Sequence, residues 1–293
     1  MNRLALAFVV GLLMSLGACE SVDRPPTTAA QIADRNVEAR GGLEAWKAIH
    51  TMVWVGQIDS RHSPVPNLPF VLEMKRPNKT RFEIRAQGQV STRIFDGTQG
   101  WKVHPGRGGF PVLRPYSKYE VQAALDAEGI GGPLVDYRAR GVTLRLEGTE
   151  KVAGRPAYRL ALKLPSGAHR RIWIDTKNFL TVKYERRSRN AFGMTGKVDV
   201  YYSNYRKFKG VSLPLSIETG SDKRDYRDKM VIERVVINPI LPKVVFSKPL
   251  LPPHPPTVSI GNQPRGMTSR RLRNRLQRPA SVLPAGAPVP GRQ

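Results

Sequence analysis

The chain has 293 residues, 40% of them hydrophobic, enough for the core of one large domain or two small ones. A formal charge of +25 raises nucleic acid first as a partner, because clustered Lys and Arg neutralise phosphates and release counterions. With a single cysteine, the chain has no intramolecular disulfide.

The N-terminus reads as an export signal. Met1-Asn2-Arg3 is a positive start, Leu4 to Leu16 an apolar run, and Gly17 and Ala18 are small residues just before Cys19. The run is shorter than the ~20 apolar residues that a membrane-spanning helix needs. Leu16-Gly17-Ala18-Cys19 resembles the lipobox of bacterial lipoproteins, which implies removal of residues 1–18 and acylation of Cys19 as the new N-terminus. The competing reading is an ordinary secretory peptide with an incidental cysteine. Glu20 and Ser21 follow Cys19, whereas many lipoproteins kept in the inner membrane carry Asp there, so the outer membrane, facing the periplasm, is the favoured address. Export removes nucleic acid as a partner. The charge then serves either contact with an anionic envelope surface or solubility alone.

Residues 19–28 read as a polar tether between anchor and fold. Thr28 is placed to cap a first helix carrying Ala29, Ile32, Ala33 and Val37 at helical spacing, and Gly41-Gly42 ends it. A second short helix presents Leu43, Trp46 and Ile49. After His50 the period falls to two. Phe82 and Ile84, then Val142, Leu144 and Leu146, then Tyr158, Leu160, Leu162 and Leu164, then Val198, Val200 and Tyr202, all alternate with polar residues. Asp96-Gly97, Ala153-Gly154, Pro165-Ser166-Gly167 and Lys209-Gly210 supply the turns. One interruption, Ser117 to Asp126, predicts a helix with a capping box between Ser117 and Glu120. About ten or eleven strands are predicted, a number that curls into a barrel or splits into a sandwich. No fixed-period repeat is visible, which argues against a propeller or solenoid.

Residues 251–293 differ from the rest. A polyproline stretch, Pro252-Pro253-His254-Pro255-Pro256, precedes seven arginines with no lysine and no acidic residue, a composition that predicts disorder. Arg270, Arg271, Arg273, Arg275 and Arg278 flank Leu272 and Leu276 at helical spacing. The segment either gathers on an anionic surface as a turn or two of helix or remains a solvated tail.

Four stretches together resemble the LolA-like superfamily of periplasmic lipoprotein and lipid carriers, which includes LolB and the sigma-factor regulator RseB. They are Ala39-Arg40-Gly41-Gly42-Leu43-Glu44-Ala45-Trp46 leading through Ile49 into the strand from Met52 to Ile58, then Phe95-Asp96-Gly97-Thr98-Gln99-Gly100-Trp101. Next come Trp173-Ile174-Asp175 with Leu180 and Lys183, and Tyr205 with Gly210 and Leu213-Pro214. The resemblance covers residues from about 29 to 240 and implies a mainly β, α+β fold: an unclosed antiparallel half-barrel of about eleven strands whose mouth is plugged by helices over an apolar cavity. The half-barrel domain is then 29–250. LolA itself is soluble, so an acylated chain is more like LolB or an anchored lipid-transfer lipoprotein. The basic tail is not part of the family pattern.

In such a cavity a lipid or lipoprotein acyl chain binds by burying methylenes, each worth about 0.8 kcal/mol. Candidate lining residues are Phe82, Ile84, Leu160, Leu162, Val198, Val200, Leu213, Leu215 and Ile217, although ordinary core packing demands the same side chains. The five histidines (50, 62, 104, 169, 254) are scattered, and neither a nucleophile elbow nor a phosphate-binding glycine loop appears. The expectation is therefore a non-enzymatic binding protein without cofactor or metal, anchored to the membrane through Cys19. An alternative is an RseB-like regulatory or scaffolding module that contacts an envelope protein.

Overall fold

The computed structural model describes residue 26 and residues 28–251, apart from 61–62, 107–108, 128, 190–194 and 221–226. Cys19 and the Pro/Arg-rich tail with its five clustered arginines lie outside the described residues, as do His62 and His254. No described helix is long and apolar enough to cross a membrane.

The period-two pattern after His50 folds into one antiparallel sheet of thirteen strands. The first half is a meander of β1 (Thr51–Asp59), β2 (Leu68–Lys75), β3 (Lys79–Ala86), β4 (Gln89–Phe95), β5 (Gly100–Pro105) and β6 (Pro111–Pro115). The second half is β7 (Thr143–Val152), β8 (Arg155–Lys163), β9 (His169–Asp175), β10 (Thr181–Arg189), β11 (Thr195–Phe208), β12 (Val211–Gly220) and β13 (Arg227–Ile237). The two meanders join where β1 pairs with β13, and β6 and β7 end the sheet without pairing, so the barrel stays unclosed. Edge strands invite foreign pairing unless blunted. Here β6 lies between Pro111 and Pro115, and β7 is charged and breaks register at Leu146/Gly148. The count exceeds eleven because β4, β5 and β6 run only 7, 6 and 5 residues, too short for alternation to announce itself. The hairpin turns are as expected: Ala153-Gly154 and Lys209-Gly210 have positive φ at both positions, matching the right-handed strand twist.

The helices cover one end of the inner sheet face. In α1 (Ala29–Ala39), Thr28 and Gln31 form a capping box, and Ile32, Ala33 and Val37 are buried. In α2 (Leu43–Lys47), Trp46 is fully buried. These residues share the main core with Met52, Met74, Leu160, Leu162, Ile172, Ile174, Val200 and Leu213. The apolar surface continues beyond the helices as a second cluster of Phe70, Leu215 and Ile232, with half-buried Trp54, Leu72, Phe82, Ile84 and Ile217 packed on it. The outer face carries charges whose signs alternate across strands. Glu147 meets Arg145 at 2.7 Å, Arg159 at 3.2 Å and Arg171 at 2.8 Å, so one carboxylate is shared by arginines of β7, β8 and β9.

Helix α3 (Lys118–Leu125) buries no residue and is tied down by polar contacts. Its capping box is the one expected at Ser117 and Glu120, and Glu120 also accepts from Lys102 at 2.7 Å and Arg93 at 3.1 Å. Burial raises the Glu120 carboxyl, but the hydrogen bonds from Lys102 and Ser117 and the Lys102 charge outweigh it and hold it down at about 2. A carboxylate with a depressed folded pKa contributes stability above its unfolded pKa and loses it as pH falls through the folded value. Urea unfolding of the wild type should therefore lose stability between about pH 4.5 and pH 2 by more than Glu120→Gln does. Parallel pH profiles would show that the network contributes nothing.

Candidate functional site

Where the helix-covered core gives way to the half-buried band, the inner face holds a cleft of about 220 Å³. That exceeds the engineered cavity of about 150 Å³ that stays dry and takes benzene. Register explains its walls. Met52 lies opposite Met74 and Trp54 opposite Leu72 on β1 and β2, giving a fully apolar side. Ile172 lies opposite Tyr184 on β9 and β10, and Tyr202 opposite Ile217 on β11 and β12, giving a side with hydroxyls. Trp46 reaches the cleft from α2, and Arg40 from the residue that ends α1.

The nine candidate residues separate by position. Leu213 and Ile217 line the cleft. Leu160, Leu162 and Val200 sit in the main core, with Val198 packed against it. Leu215 belongs to the second cluster, on which Phe82 and Ile84 pack. Sequence reasoning did not single out Trp54, Leu72, Met74, Tyr184, Tyr202 or Arg40 as cleft residues. Trp54 follows Met52 at period two and signalled an inward face; Arg40 stood in a family-like stretch but with no sign that it reaches a cleft.

The remaining wall is a loop, Gly129, Ile130, Gly131, Gly132 and Pro133. Three arginines bind successive carbonyls of this loop. Arg76 Nη2 donates to Ile130 O at 3.2 Å, Arg40 Nη1 to Gly131 O at 2.7 Å, and Arg140 Nη1 to Gly132 O at 3.0 Å. Arg76 also donates to Trp46 O and Ile49 O, which ties the loop to α2. Below, Tyr205 donates its hydroxyl to Thr181 O at 2.8 Å. Burial pushes the Tyr205 phenol up to about 12, against the pull of Arg40 and of the Thr181 side chain, so it stays neutral at physiological pH.

A larger groove of about 800 Å³ lies between α3 and the β8–β9 turn. Its lining includes Arg145, Glu147, Arg171 and Glu185, so it suits water better than hydrocarbon. Among the described residues no group of three or more His, Cys, Asp or Glu stands close enough to hold a metal ion.

Solved structures share this architecture. A domain of the outer membrane lipoprotein-sorting type from Vibrio parahaemolyticus aligns with a TM-score of 0.51 at 10% identity, covering 75% of this chain and 96% of that one. A LolA superfamily protein from Nitrosomonas europaea aligns with a TM-score of 0.50 at 14% identity, covering 76% of this chain and 99% of that one. The chain has the LolA-superfamily fold. No protein-family model matches the sequence, and a search of curated proteins finds no match. At 10% and 14% identity the likeness to the LolA superfamily is one of backbone, and the side chains of the cleft are this chain's own. Within the LolA-superfamily frame, α1 and α2 plug the half-barrel and the arginine-bound loop walls the cleft between them and the sheet.

Proposed function

We propose that this protein is an envelope lipoprotein that binds a lipid or lipoprotein acyl chain in the cleft, as carrier or acceptor, while acylated Cys19 holds it to the membrane. The observation that supports this most is the join between the cleft and the half-buried apolar band. Trp54, Leu72 and Ile217 belong to both, so a chain entering the cleft has a greasy path along which its remaining length can lie. Each methylene removed from water contributes about 0.8 kcal/mol, so affinity grows with chain length and needs no catalytic group. The lipobox and the polar tether support the anchored location. In the same reading Arg270, Arg271, Arg273, Arg275 and Arg278 meet anionic headgroups of the surface to which the protein is held.

The test has two arms. Full-length Cys19→Ser protein should leave the membrane fraction for the soluble one, and once purified it should bind a fluorescent fatty acid or retain envelope lipid in native mass spectrometry. A membrane-bound Cys19→Ser protein would remove the anchor. An empty cleft that no lipid fills, in a protein crosslinked to a stoichiometric envelope partner, would remove the carrier role in favour of a regulatory module.

A further inference from the structure

Beyond β13 the chain crosses the first meander as a strap from Asn238 to Leu251, fastened at several points. Asn238 Nδ2 donates to Ala48 O at 2.9 Å, Thr51 Oγ1 to Pro239 O at 2.6 Å and Lys75 Nζ to Leu241 O at 2.8 Å. Phe246, in a single 3₁₀ turn (Lys243–Phe246), is fully buried, and Pro249 and Leu251 border a hollow with Ile94 and Val103. Pro239, Pro242 and Pro249 fix φ along the strap and limit its freedom. Its free side needs no apolar residue to hold the fold. It nonetheless carries the three most exposed large apolar side chains among the described residues: Ile240 and Leu250, each 97% exposed, and Val244 at 72%, where no other exceeds 46%. Apolar residues scattered singly over a surface are ordinary, but three in one short, fastened segment mark a contact.

We infer that the strap is a membrane-contact surface, with Ile240, Val244 and Leu250 entering the headgroup–acyl boundary of an anionic bilayer while Lys243 and Lys248 lie among its headgroups. The residue types favour lipid over protein. Protein-binding hot spots are rich in Trp, Tyr and Arg and poor in Leu and Val, and Lys is depleted from protein interfaces. Aliphatic tips beside lysines, whose stems lie along the apolar layer while their ammonium groups stay wet, suit a bilayer surface. Charge agrees, since Lys243 and Lys248 are exposed and no acidic residue falls between Asn238 and Leu251. The contact lies outside the cleft and does not depend on it, but it sets the cleft's place. The bonds to Thr51 and Lys75 fasten the strap beside Met52 and Met74, so the bilayer meets the protein at the end of the cleft's apolar wall.

With Cys19→Ser the mature chain, residues 19–293, has no cysteine, so Val244→Cys or Thr149→Cys each carries a single environment-sensitive dye. On vesicles of phosphatidylethanolamine and phosphatidylglycerol, the dye at 244 should shift to the blue and be quenched by nitroxide lipids, while the dye at exposed position 149 of β7 stays in water. Ile240→Ser, Val244→Ser and Leu250→Ser together should weaken cosedimentation with these vesicles about tenfold or more, without lowering Tm, because none of the three is buried by the fold. That comparison is made at high salt, which screens the headgroup contacts proposed for the arginine-rich tail. At low salt, Lys243→Gln with Lys248→Gln should cost about tenfold on these vesicles and little on phosphatidylcholine alone. An unshifted dye at 244, or equal sedimentation by the serine variant, overturns the membrane assignment. Self-association that the serine variant abolishes overturns it in favour of a second copy, and crosslinking from position 244 to one stoichiometric envelope protein in favour of that partner. Unchanged binding by the lysine variant removes the anionic preference. Fatty acid uptake by the serine variant, expected to match the wild type, reports on the cleft alone, so the two readings fail separately.

Discussion

Gly41→Ala is expected to lower the stability of the half-barrel by about 3–5 kcal/mol, whereas Gly42→Ala, one residue on, costs about 1–3 kcal/mol from backbone strain alone. Both glycines have positive φ, +112 and +88, so each substitution meets backbone strain. Their surroundings differ. A Cβ on Gly41 falls 2.2 Å from the backbone oxygen of Gly210 and 3.0 Å from Val211 Cα, while one on Gly42 meets nothing within 4 Å. A backbone oxygen in a two-residue hairpin turn has no side-chain rotamer through which to escape. The end of α1 must lift off the β11–β12 turn, which stretches the Ser212 N–H to Arg40 O hydrogen bond of 2.9 Å and draws Trp46, whose indole donates to that same oxygen, out of its fully buried seat. In a domain of this size each kcal/mol lowers Tm by about 2–4 °C, so thermal melts should put Gly41→Ala roughly 10 °C or more below the wild type and Gly42→Ala clearly between the two. Equal melting of the two variants would mean that α1 is not packed against the hairpin as described.

The same pair shows what a sequence discloses and what it withholds. Gly41-Gly42 is legible as a helix stop because left-handed backbone favours glycine, a local rule. Which of the two is crowded depends on a turn almost 170 residues away and leaves no trace in the neighbouring letters. The antiparallel sheet was readable for a similar reason, whereas its staying an unclosed half-barrel was implied only by the family resemblance. Alternation in Leu160 and Leu162 or Val198 and Val200 needs only a sheet with one apolar face, and the hairpin turns need only residues tolerant of positive φ. The capping boxes at Thr28 and Ser117 are local too; the one at Ser117 was legible as a box, that at Thr28 only as a cap. The cleft was legible in part, through Leu213 and Ile217. Its other lining residues come from six strands, α2, the end of α1 and a glycine-rich loop, and they converge only because β1 pairs with β13 at the centre of the sheet. Arg40 was legible only as part of the stretch that carries the family resemblance, not as a cleft residue, because only the docking of α1 buries it.

Ile217→Asp is expected to abolish acyl-chain binding, with affinity falling at least tenfold, while costing only about 1–2 kcal/mol of stability. Leu160→Ala is expected to do the reverse, costing about 2–5 kcal/mol and leaving the affinity of the folded protein unchanged. The two side chains look alike from sequence, both apolar at inward positions of a strand. Leu160 is fully buried in the main core among residues that fill the space under α1, so removing its branch leaves a hole that the helices cannot collapse into. Ile217 is half-buried on the cleft wall opposite Tyr202 and packs on both apolar clusters, so a carboxylate there keeps partial access to water. It nonetheless sets a negative charge in the hydrocarbon path, a penalty that acts on the ligand and not on the fold. Paired measurements of urea unfolding and fluorescent fatty acid titration on both variants separate wall from filling. Loss of binding by Leu160→Ala at temperatures where it stays folded, or normal binding by Ile217→Asp, would place the ligand away from the cleft. The two losses are expected in opposite variants because filling a core and lining a hollow demand the same apolar side chain and differ only in what lies on its far side: protein in one case, the guest in the other.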